Sequence, residues 1–96
     1  MDTTDVTVTF VGDLDLAGAS KLMERALPLL DREEGRQMTL DLAGVEFCDS
    51  SGITALVELH KRSAERGSQL RVVNMQPAVR RVVVDFAGLG DYLNVA

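Results

Sequence analysis

The feature that most constrains the fold of this chain is a regular alternation between strand-type and helix-type segments. Runs in which apolar and polar residues alternate predict three strands, at residues 6–11, 38–42 and 69–73. Helical apolar spacing predicts three helices: one beginning near residue 16, where Asp15 can cap it, one at about 51–66 and one at about 77–86, before a short last segment at 92–95. This order predicts parallel strands joined by right-handed crossover connections.

The second face of each predicted strand is largely polar. A parallel sheet that is buried on both faces has strands of nearly continuous apolar sequence. Here polar residues interrupt that pattern, namely Thr7, Thr9, Thr39, Asp41 and Arg71. We therefore expect a two-layer α/β domain whose helices lie mainly on one face of the sheet.

Composition limits the domain number and the classes of function. Ninety-six residues predict a single domain over residues 1–96. A net charge of −5 argues against a nucleic-acid partner, which needs clustered Lys and Arg. With one cysteine (Cys48) and one histidine (His60), the sequence predicts no disulfide, no metal site and no cofactor. The longest run without a charged residue is eight residues, too short to span a membrane, and no signal peptide is visible. We expect no membrane insertion and a cytoplasmic location.

The charge is unevenly distributed along the chain. Residues 1–49 contain eleven acids and four bases, whereas residues 50–96 contain four acids and six bases. An acidic first half can attract a basic partner, and it is equally compatible with an ordinary solvated surface.

The segment between the second strand and the second helix holds the chemistry of most interest. Sites in α/β sheets gather beyond the carboxyl ends of the strands, where residues 47–53 lie. Ser50 is predicted at or next to the N-cap of the second helix. A phosphate there would suit the positive end of the helix dipole, yet it would obstruct a partner surface fitted to a neutral hydroxyl. The alternative interpretation is that Asp-Ser-Ser-Gly simply starts a helix.

Read as a whole, residues 40–53, with the sequence LDLAGVEFCDSSGI, strongly resemble the STAS family, and specifically the bacterial anti-sigma factor antagonists. Residues 12–15 (GDLD) resemble the family's Gly-Glu-Leu-Asp element, and residues 77–79 and 88–89 resemble its last helix and turn. The resemblance extends from about residue 6 to residue 95. It implies a small STAS-type domain with a mixed, mostly parallel sheet of four to five strands.

The resemblance also implies a mechanism. The serine after the motif aspartate, here Ser50, is phosphorylated by an anti-sigma factor that is a serine kinase. The unphosphorylated form binds that kinase and frees the sigma factor. A separate phosphatase restores the unphosphorylated form. The implied partner-binding residues lie in the two loops and the start of the second helix: Asp13, Asp15, Asp49, Ser51, Gly52 and Ile53. Gly52 is expected to let the partner's backbone approach closely.

Two departures from the family pattern affect these expectations. Asp13 replaces the usual glutamate, which is a conservative change. Only residues 1–5 precede the first strand, where family members have an extra strand. We therefore expect an exposed sheet edge through which two copies could form a homodimer.

Two other classes of function compete with this one. Short STAS proteins also serve as accessory subunits of ABC-type lipid transporters, bound to the ATPase, although in those the motif serines are often altered. An enzyme is not expected, because the sequence offers no set of nucleophile, base and orienting residue and no glycine-rich phosphate loop. The chain is therefore predicted to be the substrate of a kinase and to have no catalytic residues.

Overall fold

A computed structural model describes residues 6–32, 37–93 and 95. The elements follow the predicted order: β1 (Val6–Val11), α1 (Leu16–Arg32), β2 (Met38–Gly44), α2 (Ser50–Glu65), β3 (Leu70–Val73), α3 (Pro77–Arg80) and a π-helical segment (Arg81–Phe86). The predicted third helix therefore has two parts, four α-helical residues followed by a wider turn. None of the helices in the described ranges has the length and apolar character that a membrane span requires.

The strands form a parallel sheet in the order β1-β2-β3. Val8, Leu40 and Val72 lie side by side across it, and the next row, Thr9, Asp41 and Val73, points to the opposite face. The parallel α/β fold is confirmed. The described residues form three of the four to five predicted strands, and Val95 adds a single parallel bridge to Val72. The segment where an extra first strand was considered, residues 1–5, lies outside the described residues.

The two long helices cover one face of the sheet, as predicted. Large inward-facing residues of both helices are at most 2% exposed: Leu22, Ala26, Leu30, Leu56 and Leu59. They form one apolar core with strand residues and with Val79 and Val83 of the last helical segments. On the other face, Thr7, Thr9 and Arg71 are exposed. The loops that follow the strands lie at the carboxyl edge of the sheet, where the helices do not cover them.

The free side of β1 is partly occupied by a side chain. Within the described residues β1 pairs only with β2, and the Arg25 guanidinium of α1 donates to the Thr9 carbonyl, with 2.9 Å between nitrogen and oxygen. A charged group bonded to an edge carbonyl opposes pairing with another strand. Homodimerisation through this edge stays a prediction.

Candidate functional site

The loops after β1 and β2 are joined by two backbone hydrogen bonds at the carboxyl edge of the sheet. The Leu14 N–H donates to the Phe47 carbonyl (2.8 Å), and the Asp49 N–H donates to the Leu14 carbonyl (3.2 Å). Leu14 and Cys48 thereby form an isolated parallel bridge. The acidic loop of residues 12–15 and the serine loop of residues 47–53 consequently form one surface.

Ser50 is the first residue of α2, and its side chain is exposed. The helix is capped by the preceding residue, because the Asp49 carboxylate accepts hydrogen bonds from the Ser51 N–H (2.8 Å) and the Gly52 N–H (3.4 Å). The Ser50 carbonyl accepts from the Thr54 hydroxyl (2.9 Å), whereas no hydrogen bond of the Ser50 hydroxyl occurs within the described part of the chain. The capping function of Asp-Ser-Ser-Gly therefore belongs to Asp49, and the Ser50 hydroxyl is available for another purpose.

The acidic loop is held against the start of α1. The Asp15 carboxylate accepts from the Gly18 N–H (2.8 Å), so Asp15 caps α1 as its sequence position predicts. A Cβ atom on Gly18 would lie 1.8 Å from the Asp13 carbonyl oxygen, so only glycine allows the loop to fold back this far. Asp13 is exposed and Asp15 is partly buried. Of the two aspartates, Asp13 is the one fully open to a partner.

Gly52 is buried, and its surroundings differ from the expectation drawn from the sequence. A Cβ atom at this position would lie 2.6 Å from the Leu14 carbonyl oxygen and 2.7 Å from the Cys48 sulfur. The space that a side chain would fill is thus occupied by the chain's own acidic loop. Gly52 permits close contact between the two loops, and a partner's backbone does not reach this space.

Ser51 and Ile53 are both half-buried. Ile53 packs against the apolar core, and Ser51 faces a groove of about 390 Å³ between α1 and α2. The groove is lined by small, apolar and hydroxyl side chains with one carboxylate: Leu16, Ala19, Ser20, Met23, Ser51, Thr54, Ala55 and Glu58. Sequence reasoning did not find this groove, because its two walls come from different helices.

Cys48 is 5% exposed beneath the serine loop. Burial, with a smaller contribution from the neighbouring Asp49 carboxylate, raises the pKa of its thiol to about 11. The thiol is therefore protonated at neutral pH and unsuited to nucleophilic or redox chemistry. Cys48 is thus a small apolar residue of the core.

A family model described as "Mlab, STAS domain" matches residues 1–93. The chain therefore belongs to the STAS domain family, and its α/β fold is the STAS fold.

Among curated proteins, the chain is similar to an anti-sigma-B factor antagonist of Bacillus subtilis, with 28% identity over 92 residues, which are 96% of this chain and 82% of that protein. It is also 36% identical over 73 residues to sulfate transporter 2.1 of Arabidopsis thaliana, a match covering 64% of this chain and 11% of the transporter. A solved structure of a sulfate transporter family protein from Wolinella succinogenes has the same fold, with a TM-score of 0.76, 20% identity, and coverage of 94% of this chain and 74% of that one.

Proposed function

We propose that this protein is an anti-sigma factor antagonist controlled by phosphorylation of Ser50. The unphosphorylated form binds an anti-sigma factor that is a serine kinase, and the sigma factor is released. The kinase phosphorylates Ser50 and ends the interaction, and a phosphatase acting on phospho-Ser50 restores it. These events take place in the cytoplasm. The observation that carries the proposal is the exposed Ser50 hydroxyl, which is free of the capping function that Asp49 performs. Relatives named anti-sigma-B factor antagonist support it.

The physical basis is a difference between what the fold tolerates and what a partner tolerates. A phosphate on Ser50 adds about −1.5 to −2 charges at the positive end of the α2 dipole, where an anion is stabilising. The domain therefore stays folded. A docked partner, in contrast, would have to desolvate this charge beside the carboxylates of Asp13 and Asp49, which costs several kcal/mol without a paired cation. Phosphorylation thus prevents docking without unfolding the protein.

The partner-binding residues divide into two groups by exposure. Asp13 and Ser50 are both exposed and contact the partner directly. Asp15, Asp49 and Gly52 are held inside the loops and fix the surface. Ser51 and Ile53 of α2 are half-buried and adjoin that surface.

The test uses purified serine-kinase anti-sigma factors of the source organism and MgATP. Intact-mass spectrometry should show one phosphate on the wild-type protein and on the control Ser20→Ala, whose serine is exposed on α1, and none on Ser50→Ala. Titration calorimetry should show that Ser50→Asp binds the kinase at least about tenfold more weakly than wild type, because even a single negative charge there is unpaired. A Ser50→Asp variant that binds as tightly as wild type refutes the charge switch.

A second candidate function is an accessory subunit of an ABC-type lipid transporter, bound to its ATPase. The occurrence of this fold in proteins named as transporters supports this candidate. In this case the protein should copurify with an ABC ATPase from its host, and Ser50→Ala should leave that association unchanged. The antagonist function predicts copurification with a serine kinase instead.

A further inference from the structure

Four large apolar side chains are strongly exposed among the described residues. These are Val11 (72%), Leu16 (77%), Phe47 (50%) and Tyr92 (41%). Isolated exposed apolar residues are common on protein surfaces, whereas a cluster of them marks an interaction site. Whether these four residues mark an interaction site therefore depends on their positions in the fold.

Three of the four belong to the carboxyl edge of the sheet. Val11 ends β1 and Leu16 begins α1, so they flank the acidic loop on both sides. Phe47 lies in the facing loop, where its carbonyl accepts the Leu14 N–H at 2.8 Å. Leu16 also shares the groove between α1 and α2 with Ser51, the neighbour of Ser50. Tyr92 is elsewhere, with its ring centroid 4.1 Å from that of His60.

The two chain segments that contain these three residues carry only negative charges, and Lys21 of α1 is a basic side chain that lines a pocket with Val11, Asp13 and Asp15. Residues 11–16 and 44–51 contain four acids, Asp13, Asp15, Glu46 and Asp49, and no Lys or Arg. Asp13 and Glu46 are exposed. The edge that displays Ser50 therefore has exposed apolar side chains and a net negative charge, which complements a partner with an apolar patch bordered by positive charge.

We propose that Val11, Leu16 and Phe47 are the apolar anchors of the docking surface, and that the partner meets them with an apolar patch ringed by Lys and Arg side chains. The inference rests on the proposed function and adds the residues that supply its affinity. A few buried apolar and aromatic anchors carry most of the binding energy of an interface, while surrounding charges set the association rate. Ser50 lies at the same edge of the sheet as these anchors, and its neighbour Ser51 shares a groove with Leu16, so a phosphate on Ser50 would have to enter the interface.

The anchors are tested with Leu16→Ala and Phe47→Ala, and Tyr92→Ala serves as the matched control because it removes an exposed apolar side chain away from the edge. Binding to the purified kinase that phosphorylates Ser50 is measured by calorimetry. Each anchor variant should bind at least about tenfold more weakly than wild type, because each loses the burial of a large apolar side chain, and the control should bind like wild type. Leu16→Ala should keep the wild-type melting temperature because its side chain is 77% exposed, whereas Phe47→Ala and Tyr92→Ala each remove a half-buried ring and should lower it by a few degrees. Binding is therefore compared at a temperature where all three variants are folded.

The charge complementarity is tested by association rates. Asp13→Asn and Glu46→Gln should slow association, and the effect should vanish as NaCl is raised from about 50 mM to about 500 mM, where exposed charges are screened. Glu65→Gln, an exposed acid at the end of α2, is the control and should leave the rate unchanged.

The outcomes separate this inference from the function on which it rests. If Ser50 is phosphorylated and wild type binds, yet the anchor variants bind like Tyr92→Ala, the apolar anchors are refuted and the proposed function stands. A rate that does not depend on salt or on Asp13 and Glu46 refutes a basic partner surface. If no serine kinase binds or phosphorylates the wild-type protein, the proposed function fails and this inference fails with it.

Discussion

The contact between Gly52 and the acidic loop provides the sharpest test of how the site is built. Replacing Gly52 by alanine places a methyl group 2.6 Å from the Leu14 carbonyl oxygen, 2.8 Å from the Leu14 Cβ and 2.7 Å from the Cys48 sulfur. None of these atoms is the mobile end of a long side chain, and both residues are buried. The two loops must therefore move apart.

The expected cost follows from three contributions. Overpacking of a buried site costs about 1–3 kcal/mol. Moving the Leu14 carbonyl also weakens its 3.2 Å hydrogen bond from the Asp49 N–H, which is worth about 1 kcal/mol. Alanine returns up to about 1 kcal/mol through its greater helix propensity. The net loss is about 2 kcal/mol, which lowers the melting temperature of a domain of this size by about 10 °C.

Gly52→Ala should also bind the kinase more weakly, because it displaces Asp13 relative to Ser50. Thermal unfolding by circular dichroism and calorimetric binding measure the two effects. Gly67→Ala is the matched control, since a methyl group there contacts nothing but must adopt a φ of 72°. That variant should lose about 1 kcal/mol of stability through its backbone alone and keep wild-type affinity. The reasoning is refuted if Gly52→Ala melts within about 2 °C of wild type.

Three further predictions concern the surroundings of the site. Asp49→Ala removes the α2 cap and should lower stability by about 1 kcal/mol in chemical denaturation, whereas Asp49→Asn should retain most of it. Leu56→Ala, at a position with no exposure, should cost about 2–5 kcal/mol, and a smaller loss would show that the core closes around the gap. Folding raises the pKa of the Cys48 thiol from 9.0 to about 11. The contribution of this shift to the free energy of unfolding is therefore complete below pH 9 and is lost as the pH rises through 11. The loss of stability between pH 9 and pH 11 should be smaller in Cys48→Ala.

Local sequence patterns were sufficient for the three strands, the two long helices and the cap of α1. Alternating Val6, Val8 and Phe10 identified β1 because a strand places every second side chain on the same face. Asp15 could be assigned as a cap because capping depends on residues within one helical turn. The prediction for the third helix was less accurate. Its apolar spacing fits either helix type, so it did not reveal the π-helical turn after Arg80.

The candidate site was predictable in part from the sequence and in part only from the tertiary structure. Ser50 was found from its position between a strand and a helix, and the resemblance to a family indicated its role. The function of Gly52 was misjudged, because nothing in the sequence around it shows that Leu14 lies against it. Phe47 and Leu16 were overlooked as surface residues, since an apolar residue in a sequence is ordinarily expected to be buried.

By itself, the sequence determined the order of the elements, the polar face of the sheet, the acidic character of the first half and the serine at the start of α2. Each depends on residues close together in the chain, where the periodicity of a strand or a helix decides which side chains share a face. Only the tertiary structure decided that Leu14 bridges to Cys48, that Gly52 is closed off by the acidic loop and that Val11, Leu16 and Phe47 are exposed at the edge that holds Ser50. These contacts join segments that are distant in the chain, and they depend on how β1 and β2 align in the sheet.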